Sequence, residues 1–181
     1  YMCSCGKNHS VGIENIKVGS GVISQLPTVI ERYEGKKVFI IEDTHTYNVA
    51  GKKVEDLLKN KFKMSKYIFK EERLHPNELS FGKLILEIPI DTSIIIAVGS
   101  GTINDISRFL SYKLGIPYVI VGTAPSMDGY ASVVSPLIRD GVKVTYDAAY
   151  PLAIICDIDI MKRAPMQMLQ AGLGDILGKY T

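Results

Sequence analysis

Two short runs without charge, Ser93–Val98 (SIIIAV) and Tyr118–Val121 (YVIV), flank a segment in which Ile103, Ile106, Phe109, Leu110 and Leu114 recur at helical spacing. A run that is apolar at every position fits a strand covered on both faces, and the segment between them fits an amphipathic helix. Strand, helix and strand in that order make a βαβ unit, whose strands are parallel and whose crossover is right-handed. This constrains the chain to an α/β layer architecture.

Other segments extend the pattern. Lys37–Asp43 (KVFIIED) reads as a buried strand ending on two carboxylates, Tyr67–Lys70 as a weaker strand, and Leu152–Cys156 as the last one. Val133–Ile138 and Val142–Tyr146 around Asp140-Gly141 carry the signature of a β-hairpin. The fold class is therefore α/β, a mostly parallel sheet with a hairpin insertion. From Asp157 the composition turns helical, and Met161, Met166, Leu169, Leu173, Ile176 and Leu177 call for a partner surface. A length of 181 residues allows one domain, or one domain and the start of another. The expected division is residues 1–156 as a nucleotide-binding domain and 157–181 as the truncated start of a helical domain.

Composition excludes several functions. With 21 basic against 19 acidic residues the net charge is +2, which lacks the electrostatic footprint of a nucleic-acid binder. The eight basic and four acidic residues from Lys52 to Arg73 read as a solvated helix face with its flanking loop. No apolar stretch reaches the roughly 20 residues of a membrane span. Three cysteines are an odd number, which suits reduced thiols and a cytoplasmic setting. Cys3-Ser4-Cys5 with His9 lacks the second pair of a zinc knuckle and reads as a surface segment.

Four places carry candidate chemistry. Gly99-Ser100-Gly101-Thr102-Ile103 joins the strongest strand to the best helix, where free N–H groups and the helix dipole favour a pyrophosphate. A tight turn with Thr102 as helix cap is the structural alternative. Asp43 ends its strand where a carboxylate can accept from ribose hydroxyls, or can simply cap a helix. The loop Gly122–Ser132 (GTAPSMDGYAS) follows the strand Tyr118–Val121 and shares the sheet's carboxyl edge with the Gly99 loop, so the two are expected to line one crevice. Asp128 within it has a cap as its alternative role. Asp175, in GLGDILGKY, is a lone carboxylate on an apolar helical surface, and is either exposed, paired or metal-bound.

GSGTIND at 99–105, TAPSMDGYAS at 123–132 and GLGDILGKYT at 172–181, behind the opening CSCGKNH, together resemble the sn-glycerol-1-phosphate dehydrogenase family. That family sits within the superfamily of iron-containing alcohol dehydrogenases, glycerol dehydrogenases and dehydroquinate synthases. The resemblance runs through the whole chain, and TAPSMDGYAS is its most specific part.

The resemblance implies a Rossmann-like first domain and NAD(P)H-dependent, metal-assisted reduction of dihydroxyacetone phosphate to sn-glycerol 1-phosphate. It implies that Gly99, Ser100, Gly101, Thr102 and Ile103 bind the pyrophosphate of NAD or NADP and that Asp43 lies near the ribose. Thr123, Ala124, Pro125, Ser126 and Ser132 would contact the cofactor toward its nicotinamide half. Asp128 is implied as a substrate contact, and Asp175 as both substrate contact and metal ligand. The implied metal is zinc, with nickel or iron as alternatives, and its other ligands are two histidines farther along that His9, His45 and His75 do not match. Lys179 is a candidate cation for the substrate phosphate. A homo-oligomer with a phosphorylated small-molecule substrate in phospholipid metabolism completes the expectation. The alternatives are a glycerol or alcohol dehydrogenase, a dehydroquinate-synthase-like enzyme, or an inactive nucleotide-binding fragment.

Overall fold

The structure is a computed structural model that describes residues 3–6 and 10–180. Among them the strands are β1 Asn15–Gly19, β2 Lys37–Asp43, β3 Lys63–Phe69, β4 Thr92–Gly99, β5 Tyr118–Gly122, β6 Val134–Arg139, β7 Val142–Asp147 and β8 Ala153–Asp157. The helices are α1 Leu26–Val29, α2 Thr44–Thr46, α3 Lys52–Leu58, α4 Glu78–Glu87, α5 Gly101–Leu114, α6 Ile158–Met161 and α7 Met166–Leu177. A π-turn over Tyr47–Gly51 joins α2 to α3.

Six strands make one parallel sheet in the order β3-β2-β4-β5-β8-β1, and β6 and β7 pair antiparallel as a separate ribbon. Both faces of the sheet are covered, which is why its inner strands are apolar at successive positions. Val38 and Ile40 of β2 with Ile94, Ile96 and Val98 of β4 pack on Leu26, Val54 and Leu58. The alternate residues, Phe39, Ile41, Ile95 and Ala97, pack on Leu84, Ile103, Ile106 and Leu110 on the opposite side. The architecture is the α/β, Rossmann-like one anticipated, with the hairpin turning through Asp140 (φ 50°) and Gly141 (φ 78°). Positive φ at both positions is what an Asp-Gly hairpin turn requires.

The structure differs from the sequence reading in three places. β1 carries no apolar run: it pairs only with β8 at the sheet edge and leaves Ile16 and Val18 exposed, so periodicity did not mark it. β3 starts at Lys63 rather than Tyr67, so the basic segment after Lys52 is a helix followed by an edge strand on which Lys63 and Lys66 face solvent. The helical tail is two helices, α6 and α7, separated by a turn that ends on Pro165. Met166, Leu173, Ile176 and Leu177 are exposed on α7, and no helix among the described residues is long and apolar enough to cross a membrane.

Candidate functional site

From β2 the chain crosses outward to β3, then returns past β2 to β4 and continues to β5 and β8. The crossovers therefore diverge at the carboxyl ends of β2 and β4, which opens a crevice where ligands of doubly wound sheets bind. The residues at those ends are Asp43 and Gly99.

Small-molecule sites are cavities of about 300–1,000 Å³, and the one at this edge, about 510 Å³, is lined by Asp43, His45, Thr46, Val49, Ser100, Thr123, Ala124, Arg163, Ala164, Pro165 and Met168. The segments that follow β2, β4 and β5, and the turn after α6 with the start of α7, thus converge on one space. Of the anticipated residues, Asp43, Ser100, Thr123 and Ala124 line it.

Asp43 takes the capping role, at the wall of the cavity. Its Oδ1 accepts from the backbone N–H groups of His45 and Thr46 (2.8 Å each), while the Thr46 hydroxyl accepts from the Asp43 N–H (3.0 Å), which caps the helical segment that follows. Both bonds fall on one oxygen, so the cap and a ligand can be served by different atoms of the same carboxylate. Thr102 is not the cap of α5. Ser100 takes that position without a side-chain bond, and Gly101 and Thr102 begin the helix. Gly99 is required by packing: a Cβ there would lie 2.5 Å from the Cβ of Ile103, which is buried in the core. At Gly101 the nearest side-chain atom, Met127 Cγ, would be 3.8 Å away, so that glycine leaves open space at the helix start.

The loop after β5 is tied to the sheet edge where the Thr123 N–H donates to the Gly99 carbonyl (3.0 Å). Tyr130 folds back and donates its hydroxyl to the Ala124 carbonyl (2.7 Å), and burial pushes its phenol well above the usual range. Arg108 of α5 donates to the carbonyls of Val134 (2.8 Å), Tyr130 (3.4 Å) and Gly129 from beneath. Above the loop, Gly172 of α7 lies against the Pro125 carbonyl. Asp175 accepts from the Asp128 N–H (2.9 Å), and the Asp128 side chain forms an ion pair with Lys179.

The remaining anticipated residues sit as follows. Pro125 and Ser126 form the seat of Gly172, and Ser132 bonds within its own turn to the Val134 N–H (3.1 Å). Ile103 is in the core rather than at the cavity wall. Asp128 of the loop and Asp175 of α7 are brought together, both exposed and both outside the cavity lining. Lys179 is engaged by Asp128 and so is not a free cation. Among the described residues no group of three or more His, Cys, Asp and Glu side chains can hold a metal ion, and His9 lies outside them.

Sequence reasoning missed His45, Thr46, Val49, Arg163, Ala164, Pro165 and Met168. Their signal was position: each follows the carboxyl end of β2 or β8, on the same sheet edge as the Gly99 loop. Arg108 was missed because nothing in a helical pattern distinguishes a buried arginine from a solvated one.

A family model described as iron-containing alcohol dehydrogenase matches residues 17–165. The chain is 39% identical to a glycerol-1-phosphate dehydrogenase (NAD(P)+) of Halalkalibacterium halodurans over 99% of its own length and 46% of that protein's. It is 36% identical to the protein of the same name from Pyrococcus furiosus, over 91% of this chain and 47% of that one. It spans about half the length of the curated relatives it matches. Among solved structures, a glycerol dehydrogenase from Schizosaccharomyces pombe superposes with a TM-score of 0.82 at 24% identity, covering 93% of this chain and 43% of that one. A 2-deoxy-scyllo-inosose synthase complexed with carbaglucose-6-phosphate, NAD+ and Co2+ superposes at 0.74 with 18% identity, covering 90% of this chain and 48% of that one. These two likenesses establish the fold alone.

Proposed function

Because the chain belongs to the iron-containing alcohol dehydrogenase family, we propose that it is the nucleotide-binding part of an NAD(P)H-dependent enzyme that reduces dihydroxyacetone phosphate to sn-glycerol 1-phosphate. The observation that carries this reading is the convergence of Asp43, the Gly99–Gly101 loop and Thr123–Ala124 on one cavity at the switch point of a doubly wound sheet. The relatives' names supply the substrate.

The residues present fit a dinucleotide. A pyrophosphate placed against Gly101 meets the unpaired N–H groups at the start of the 14-residue helix α5, with open space where a side chain would stand. Asp43 accepts from ribose hydroxyls through the oxygen not used for the cap. Val49, Ala164, Pro165 and Met168 supply apolar surface for a flat base. Gly99 and Ile103 hold the turn from behind, and Ser100 and Thr102 flank it.

When bound, the reduced nicotinamide supplies the hydride. Thr123, Ala124, Pro125, Ser126 and Ser132 form the loop that orients its nicotinamide half, and orientation of the two reactants is what makes one enantiomer from a prochiral ketone. Asp128 and Asp175 are the carboxylates at which substrate hydroxyls are held. Among the described residues Asp175 is also the one metal ligand in this reading, and those residues by themselves do not complete a metal site. Residues 1–156 form the nucleotide-binding unit and 157–181 open the helical one.

An activity panel on the intact protein tests this reading. Turnover of dihydroxyacetone phosphate with NADH or NADPH, and none of glycerol, is expected. Turnover of glycerol without dihydroxyacetone phosphate overturns it in favour of a glycerol dehydrogenase.

A further inference from the structure

Arg108 is among the largest fully buried side chains, 1% exposed, yet it lies on the helix that opens at the Gly99–Gly101 loop. Its guanidinium reaches in three directions. Nε donates to the Tyr118 hydroxyl (3.2 Å), Nη1 to the Val134 carbonyl (2.8 Å), and Nη2 to the carbonyls of Gly129 and Tyr130. The Tyr118 hydroxyl in turn donates to Oδ1 of Asn104 (3.3 Å), one turn from the start of α5. Asp105 is the facing carboxylate, 3.4 Å from Nη1; burial raises it to about 6, against the pull of Arg108.

We propose that Arg108 is a positioning residue that fixes the Asp128–Val134 segment relative to the start of α5. Three of its acceptors are backbone carbonyls of that segment, and they bracket Ser132 and directly follow Asp128. Outside Arg108, the segment is tied at its ends and through one side chain, by the Asp128 N–H on Asp175 (2.9 Å), the Ala148 N–H on the Val133 carbonyl (2.7 Å) and the Tyr130 hydroxyl on the Ala124 carbonyl (2.7 Å), while the bonds within it are a three-residue turn over Gly129–Ala131 and the contacts of Ser132 with Val134. A planar fork with five donors can serve carbonyls at separate points and a hydroxyl at once. A lysine, with one compact ammonium, cannot. The clamp thereby couples the two loops that the proposed reading assigns to pyrophosphate and nicotinamide, so its role in turnover rests on that reading, while the clamp itself does not.

The test uses Arg108→Lys and Arg108→Gln in the intact protein. Amide exchange at 129–134 is expected to speed up by about tenfold or more while β4 and β5 keep their protection. In kinetics, kcat/KM for dihydroxyacetone phosphate is expected to fall about 100-fold with a raised KM and an increased primary isotope effect from 4-deuterated NADH, as for a reactant held out of line. NADH affinity is expected to stay within about threefold, because Asp43 at the end of β2 and Gly101 at the start of α5 both lie outside the 129–134 segment that the clamp holds. A merely structural arginine lowers only the active fraction, which leaves KM and the isotope effect of the surviving enzyme unchanged, and that result overturns the proposal. So does wild-type exchange at 129–134 in both variants. If the wild-type protein fails to reduce dihydroxyacetone phosphate, the functional reading falls and the exchange result alone decides the clamp.

Discussion

Gly172 lies so close to the Pro125 carbonyl that a Cβ at 172 would overlap the oxygen. That contact is how α7 seats on the 123–132 loop, and it is the one buried residue of the helix. Gly172→Val is expected to lift α7 from the loop. Overpacking of this kind costs about 1–3 kcal/mol, read as lost amide protection over 166–177 together with the loop. Unchanged protection in both segments would show that the helix is held by something else.

Asp43→Asn separates the helix cap from the proposed ribose contact. Asparagine is as good a helix cap as aspartate, so stability should change by less than about 1 kcal/mol. The negative charge that repels a 2′-phosphate is gone, so the ratio of NADPH to NADH affinity should rise by about tenfold. Fluorescence titration with both cofactors measures it, and an unaltered ratio removes Asp43 from the ribose site.

Gly99 and Gly101 should respond to alanine in opposite ways. At 99 the new methyl meets buried Ile103, so Gly99→Ala is expected to lower the thermal midpoint by the equivalent of about 1–3 kcal/mol. At 101 the methyl has room and the helix gains a better former, so stability should hold or rise while NADH affinity falls. Equal loss of stability in the two variants would contradict the assignment of Gly101 to ligand approach.

Glu42 is buried on β2 beside Gly51 of the π-turn, and neither carboxyl oxygen has a hydrogen-bond partner among the described residues. Burial raises it to about 8, with the Glu55 and Asp43 carboxylates adding to the rise and Lys66 opposing it. The folded state therefore keeps this proton over a range in which the unfolded chain has lost it. Its contribution to stability is present at acid pH and is lost as pH rises from the ordinary carboxylate range toward about 8. The slope reaches at most about 1.4 kcal/mol per pH unit. Stability plotted against pH from denaturant titrations of the wild type and Glu42→Gln should differ in slope between these limits and run parallel outside them, and parallel curves throughout would refute a buried protonated carboxyl.

Local pattern alone determined a good part of the molecule. Strands β2, β4, β5 and β8 are legible because a parallel strand covered on both faces must be apolar at every position, as Ile94–Val98 is. The hairpin is legible because Asp140-Gly141 is a pair that accepts positive φ twice. Spacing also placed the Gly99 and Thr123 loops on one edge, and the family resemblance followed from the motifs they carry. What tertiary structure alone decided is non-local. The strand order that opens the crevice between β2 and β4 depends on crossovers that no single segment encodes. The far wall of the cavity, Arg163 to Met168, comes from residues more than a hundred positions after Asp43, joined to it only when β8 enters the sheet. Arg108 reads from sequence as one more polar residue on a helix. Its burial under three loop carbonyls exists only because the 129–134 segment folds over it, and the free energy of a charged group depends on what surrounds it in space rather than along the chain.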